Sequence, residues 1–581
     1  MPRLLGILVL FLLAFTAFAD DLTVGWISRS PEVDFVWNSA HPAVDGWPAA
    51  GAPIVWRGNV QNFGTAARSV AYRWTIDGRE VATGRTTLAA NTTSSIDLPS
   101  TWSFERHRIA LAIDSGNEVT EESESNNRLE VFSDALAVGF WVERSLYDYF
   151  RAHQSELGTG ATSWENWAQR QIDVYNDMAA LAIYPETPHG VLDRWRIQKI
   201  VVVPDGALPL VPLDNYGAHD GEPNASTHPD KSDRSVDLMW GFRATTLGSF
   251  GNTHTATPAN PFYLVPVLIH ELGHARYLTD VYAWNVQSVS PHHTIDIPDF
   301  AEPRVGGSYV HKTAERGLMT DEMTYIDRYS AIALNRIAGQ RATRGNANDP
   351  ENMGSFLNDL PAQNRLTIRD AAGQPIAGAD VQIFRSEGES NAWYATHYDA
   401  KPDLTLRTDA NGQVLVGRNP FSSGAIVNYW RSSNVTAIVR VAKAGRIDWG
   451  YLESRLFNLA YWRGETQLAD HDLIAGATCE GNEPPQIVAP AWDEKTDDKL
   501  PTVTWTWVPD AIGYDVWTAA DGGTPMIAAT TTDTVAAIKA TGRTWWWVEA
   551  RFAHCPPLRS ATARLVAPAA PVTAKRRAAG H

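Results

Sequence analysis

Two periodicities of apolar and polar positions alternate along the chain. Between residues 22 and 134, segments such as SVAYRWTIDG (69–78) and RIALAID (108–114) place apolar side chains at every second position, with Gly, Asn and Asp turns between them. A period of two buries one face of each strand, so this stretch predicts a β-sandwich. From about residue 135 to 345 the pattern changes. LAVGFWVE (136–143), RIQKIVVVPDG (196–206) and VDLMWGF (236–242) are short apolar runs and read as strands. SWENWAQRQIDVYNDMAALAIYP, from Ser163, has apolar residues three and four apart and predicts a helix. Ser163 is its expected N-cap, with Glu165 as capping-box partner. YSAIALNRIAG (329–339) predicts a final helix, and mixed strands and helices make this region an α/β or α+β domain.

Beyond it, the polar, Gly- and Asn-rich QRATRGNANDPENMGSFLNDLPAQN reads as a linker. Alternation returns in RLTIRDAAGQPIAGADVQIFR and LRTDANGQVLVG, and again, after CEGNEPPQI, in PTVTWTWVPDAIGYDVW and TWWWVEARF. The predicted layout is a leader at 1–19, a sandwich at 20–134, the mixed domain at 135–345 and a linker at 346–364. A second sandwich follows at 365–479, a linker at 480–487, a third sandwich at 488–567 and a tail at 568–581. The clustered tryptophans Trp505, Trp507 and Trp545 to Trp547 are expected to fill the core of the last sandwich.

Composition narrows the function. The formal net charge of −17 excludes general nucleic-acid binding, which needs a basic face. MPRLLGILVLFLLAFTAFA joins one early arginine to an apolar run and small residues at Ala17 and Ala19. It reads as a secretory signal peptide cleaved before Asp20, and no later stretch is apolar enough to span a membrane. The expected product is secreted, extracellular or periplasmic. In such a compartment the two cysteines, Cys479 and Cys555, are candidates for a disulfide.

The chemistry concentrates in VLIHELGHARYLTD (267–280). On a helix, residues four apart share a face, so His270 and His274 can turn both imidazoles to one ion, and neutral imidazole is a good zinc ligand. Glu271 is set off that axis, placed to take a proton from water that the metal acidifies. A third ligand is needed. The helix itself supplies none further along, because each residue past His274 lies about another 1.5 Å along its axis. His292, His293, Glu302, His311 and Glu315 lie downstream as alternatives.

Four resemblances give these segments expected roles. IDSGNEVTEESESNNRLEVF (113–132) resembles the closing strands of CARDB domains, immunoglobulin-like adhesion or spacer modules ending in V-x-E-x-x-E-x-N-N. The second sandwich resembles transthyretin-like, or carboxypeptidase-regulatory, domains through GQPIAGADV and TDANG; the third resembles fibronectin type III. Residues 140–340 resemble the metzincin-type peptidases, whose pattern is H-E-x-x-H-x-x-G-x-x-[HD]. That resemblance implies a zincin-type fold flanked by three all-β sandwiches. It also implies zinc held by His270, His274 and Asp280, and Glu271 as general base in the hydrolysis of a protein or peptide. A methionine turn beneath the metal would use Met319, with Met323 second; if Met323 holds it, Tyr325 would stabilise the transition state. The sequence departs from the pattern at Tyr277, which stands where the family has its glycine. Two other readings stay open: a thermolysin-like aminopeptidase site with a downstream glutamate ligand, and a non-catalytic adhesion protein attached to a surface through its β-modules.

Overall fold

The computed structural model describes residues 20–32, 46–157, 161–208, 225–226, 233–242, 266–287, 293–300, 309–321, 323–339, 355–386, 396–422, 435–476, 483–490, 494–520, 523–553 and 556–568. The proposed leader, Cys479, Cys555, His292 and Glu302 lie outside them. The described chain divides into two compact units, one spanning residues up to Pro31 with Pro48–Asp134, the other the remainder. No helix among the described residues is long and apolar enough to cross a membrane.

In the first unit, β1 (Leu22–Ser30), β2 (Pro53–Asn62) and β5 (Thr92–Thr101) form one sheet, in the order β1-β2-β5. The other sheet runs β4-β3-β6-β7, from β3 (Arg68–Ile76), β4 (Arg79–Leu88), β6 (Arg108–Ile113) and β7 (Arg128–Phe132). Alternation along β2 and β3 buries Trp56, Val60, Val70 and Trp74 between them. Gly58 permits the close approach, since a Cβ there would lie 2.1 Å from Leu111 Cδ2. The acidic signature acts here as a staple. Glu121 accepts from the Leu22 amide (2.6 Å), and Asn127 Nδ2 donates to Glu121 (3.0 Å) and Glu124 (3.1 Å).

In the second unit, β8 (Leu136–Glu143) is buried at every position, because it lies inside a sheet covered on both faces. It pairs in parallel with β9 (Trp195–Val203) and β11 (Leu238–Phe242), and β10 (Ala225–Ser226) completes the order β10-β11-β8-β9. The helix Trp164–Leu181 begins as expected, with the Ser163 side chain accepting from the Asn166 amide at 3.1 Å. Glu165 does not close a capping box. It stands two positions past the cap rather than three, and accepts instead from the Tyr147 hydroxyl at 2.5 Å.

The two later sandwiches are present. One has sheets built on Gln363–Arg369 and Asp380–Phe384, and the other is centred on Gly513–Ala520 and Arg543–Arg551. Trp505 and Trp546 fill the core of the last, whereas Trp545 and Trp547, on the opposite face of their strand from Trp546, are buried outside that core, and Trp507 is 66% exposed. It is the alternate residue after Trp505, past the end of its strand, so it escapes the core. Residues 346–364 are not a free spacer throughout: Phe356, Leu357 and Leu360 are buried around a short helical turn, Ser355–Asn358.

The mixed domain and the second sandwich are also joined. His293–Ile295 pairs in parallel with Thr396–Tyr398, and Val286, Ile297 and Val310 share a core with Phe384, Tyr398 and Ile438. Trp284, fully buried, donates to Ser454 Oγ at 3.3 Å, and its carbonyl accepts from Thr436 at 2.9 Å.

Candidate metal centre

The helix Pro266–His274 carries the two histidines one turn apart. It ends at His274 because the chain enters a left-handed conformation at Tyr277, whose φ is 67°. The Tyr277 amide donates to the His274 carbonyl (2.8 Å) and the Leu278 amide to Gly273 (3.3 Å), closing the helix end. The reversal is thus made at a tyrosine in the left-handed region, where glycine would be unstrained. Arg276 anchors it from below. Its guanidinium is buried against Asp193 (Nη2 to Oδ2 2.5 Å) and donates to the Ile337 carbonyl (3.0 Å).

The reversal brings Asp280 back to the histidines. His270 Nε2 lies 3.0 Å and His274 Nε2 3.2 Å from the same atom, Asp280 Oδ1. Both imidazoles have their other nitrogen engaged: His270 Nδ1 donates to the Leu318 carbonyl and His274 Nδ1 to the Leu278 carbonyl, each at 2.8 Å. A carbonyl only accepts, so the proton sits on Nδ1 in the neutral ring and the Nε2 lone pair faces inward. Glu271, partly exposed, holds its carboxylate 4.0 Å from His274 Nε2.

Burial disfavours the charged imidazolium of His270, but the Asp280 carboxylate outweighs it and holds the pKa up to about 9. Burial likewise works against an ionised Asp280, yet the two histidines keep it well below the usual carboxylate range. Asp280 Oδ2 is buried and has no hydrogen-bond partner among the described residues. Two convergent imidazole nitrogens and a carboxylate with an orphaned oxygen are the donor set zinc takes, so the residues present fit that ion.

Beneath the helix lies Met319, fully buried, its sulfur 3.3 Å from where a Cβ on Gly273 would stand. Gly273 thus leaves room for the sulfur. Met319 sits on the turn Leu318–Asp321, tied by Leu318 N to Tyr325 O (2.9 Å) and Met323 N to Gly317 O (3.3 Å). The role expected of Tyr325 requires the turn to be at Met323, whereas Met319 lies under the histidines. The Tyr325 ring is 4% exposed and carries the Arg559 guanidinium 4.2 Å above it. A tyrosine with no signal in the motif, Tyr282, lies parallel to the His270 ring at 6.3 Å.

Of the alternative third ligands, His311 Nε2 is 2.8 Å from Glu453, and Glu315 Oε1 is 3.1 Å from Arg455 Nη1. Both are committed to the second sandwich.

Tyr277 yields a prediction. A left-handed tyrosine costs about 1–2 kcal/mol, and glycine forfeits about 0.5–1 kcal/mol of chain entropy, so Tyr277→Gly is expected to fold with stability within about 1 kcal/mol of the native chain. Tyr277→Val, β-branched at positive φ, is expected to lose more than about 1 kcal/mol and to weaken metal binding. Thermal melts with zinc analysis check both; a valine variant as stable and metal-rich as the glycine one would refute the account.

The CARDB family model matches residues 45–131, so the chain carries a CARDB domain near its N-terminus. Among solved structures, the CARDB domain of a Pyrococcus furiosus protein, in complex with di-metal ions, is 20% identical over 20% of this chain and 89% of its own, with a TM-score of 0.16. An Fn3-like protein from Clostridium thermocellum is 26% identical over 15% of this chain and 96% of its own, with a TM-score of 0.13. The chain's own sheets, with the CARDB match, make it multidomain and built mostly of β-sandwiches. No curated protein matches it. The CARDB match ends before the histidine helix, whose reading stands on its own geometry.

Proposed function

We propose that the mixed domain is a zinc-dependent metallopeptidase of an exported protein, with the β-modules holding it to a surface or matrix. The observation that carries the reading is the convergence of His270 Nε2 and His274 Nε2 on Asp280 Oδ1, with Glu271 alongside. His270, His274 and Asp280 would hold the ion. Zinc supplies, when bound, a Lewis acid that polarises a carbonyl oxygen and acidifies water.

The chain's own residues supply the rest. The Leu318 and Leu278 carbonyls fix both imidazole tautomers, so ring orientation costs nothing at the moment of reaction. Glu271 accepts the proton of the attacking water on its carboxylate and returns it to the departing amine nitrogen. The Glu271 carboxylate is about one-third exposed beside buried histidines, which leaves it open to solvent for that shuttle.

Purified full-length protein is expected to hold one zinc per chain and to cleave casein internally, with cleavage stopped by a chelator and restored by zinc. Activity confined to free N-termini would instead favour an aminopeptidase. A chain that takes up no metal after zinc loading would leave a secreted adhesion protein.

A further inference from the structure

The turn beneath the metal site is gripped from outside the mixed domain. Arg455 is the second residue of the helix Ser454–Trp462 in the second sandwich, and it is 9% exposed. Its guanidinium forks between two carboxylates: Nε donates to Glu453, and Nη1 donates to Glu315 Oε1 at 3.1 Å. Glu453 also receives His311 Nε2 at 2.8 Å.

Glu315 opens the segment that carries Met319. The Glu315 carbonyl accepts from Thr320 Oγ1 at 3.1 Å, and within the same loop Leu318 N donates to Tyr325 O. The Leu318 carbonyl is the acceptor that orients His270. Arg455 is therefore linked to a metal-site imidazole through Glu315 and a loop tied to itself at each end. The last sandwich touches the same loop: Thr324 Oγ1 donates to the Thr562 carbonyl at 2.6 Å, beside the Arg559 contact with Tyr325.

A buried carboxylate that loses its cation is left with an uncompensated charge, which makes the Glu315 position hard to shift while Arg455 stays in place. Burial pushes the Glu315 carboxyl up and the Arg455 guanidinium opposes that shift, as the 3.1 Å contact between them requires. A planar fork contacting two acceptors is a task for arginine rather than lysine.

We infer that Arg455 is a positioning residue of the metal centre, acting through Glu315 on the turn Leu318–Asp321, whose Leu318 carbonyl sets the His270 imidazole. This rests on the zinc reading proposed above. A merely adhesive contact between modules would affect melting and leave the metal untouched.

The test uses full-length protein carrying Arg455→Met, Arg455→Lys, Glu315→Gln, or Arg455→Met with Glu315→Gln. Zinc affinity is read by competition with a chromogenic chelator, and ligand geometry by the visible spectrum of the cobalt-loaded protein. Arg455→Met is expected to weaken zinc binding by about 10–100-fold and to shift the cobalt bands, the range for partners that orient ligands. Arg455→Lys should fall between, and the double variant should lose less than the two single losses combined. Where Arg455→Met fails to fold, Glu315→Gln decides, and a weaker affinity with shifted bands in that variant supports the inference. Folded variants with native affinity and native cobalt spectra overturn the role of Arg455 alone. A native chain that binds neither ion overturns the zinc reading and this inference together.

Discussion

Glu271→Gln is expected to retain one zinc per chain while casein cleavage falls by about 10²–10⁴-fold, the usual contribution of a general base. Glutamine matches glutamate in shape and still forms hydrogen bonds, but its amide does not take a proton. The zinc reading takes Asp280 rather than Glu271 as the third ligand because Asp280 Oδ1 is 3.0 Å from His270 Nε2 and 3.2 Å from His274 Nε2, whereas the Glu271 carboxylate is 4.0 Å from His274 Nε2. Metal content and turnover should therefore separate in this variant. Zinc analysis beside initial rates gives the answer, and turnover within tenfold of native would remove Glu271 from the mechanism.

Asp280→Ala is expected to act on the metal itself, lowering zinc affinity by more than about 100-fold, beyond what loss of a merely orienting partner costs. The substitution removes the one carboxylate on which both imidazoles converge. Two of the downstream alternatives are already engaged, His311 with Glu453 and Glu315 with Arg455. Chelator competition measures the loss. Native affinity in the alanine variant would move the third ligand elsewhere and revive the thermolysin-like arrangement.

Local signals were the most legible. Ser163 announced its helix because an N-cap needs only a side chain and an amide three residues on, and alternation exposed the sandwiches because burial on one face has a period of two. The metzincin-type spacing points to Asp280, which the structure brings beside both histidines, although Tyr277 breaks that pattern at the residue that makes the bend. Composition alone would assign a bulky residue there to a continuing helix, and only the backbone reveals φ of 67°. Carbonyl acceptors were illegible, since any residue type supplies one: nothing marks Leu318 or Leu278 as the partners of two imidazoles. Arg455 was hidden for a different reason. It meets Glu315 across 140 residues of sequence, and neither belongs to a motif.

The strand His293–Ile295 finds its partner in Thr396–Tyr398, on the far side of the proposed linker. Expression boundaries drawn at residue 345 would thus cut the fragment that holds the candidate metal centre away from half of a β-ladder, from the apolar side chains that cover Val286 and Val310, and from Arg455. Such a fragment would expose an unpaired strand edge and is suited to aggregation rather than catalysis. Any excisable piece worth producing must run on at least through the strand Leu468–Ile474, because the second sandwich forms the floor of the candidate metal centre, and Thr562 of the last sandwich still touches its loop.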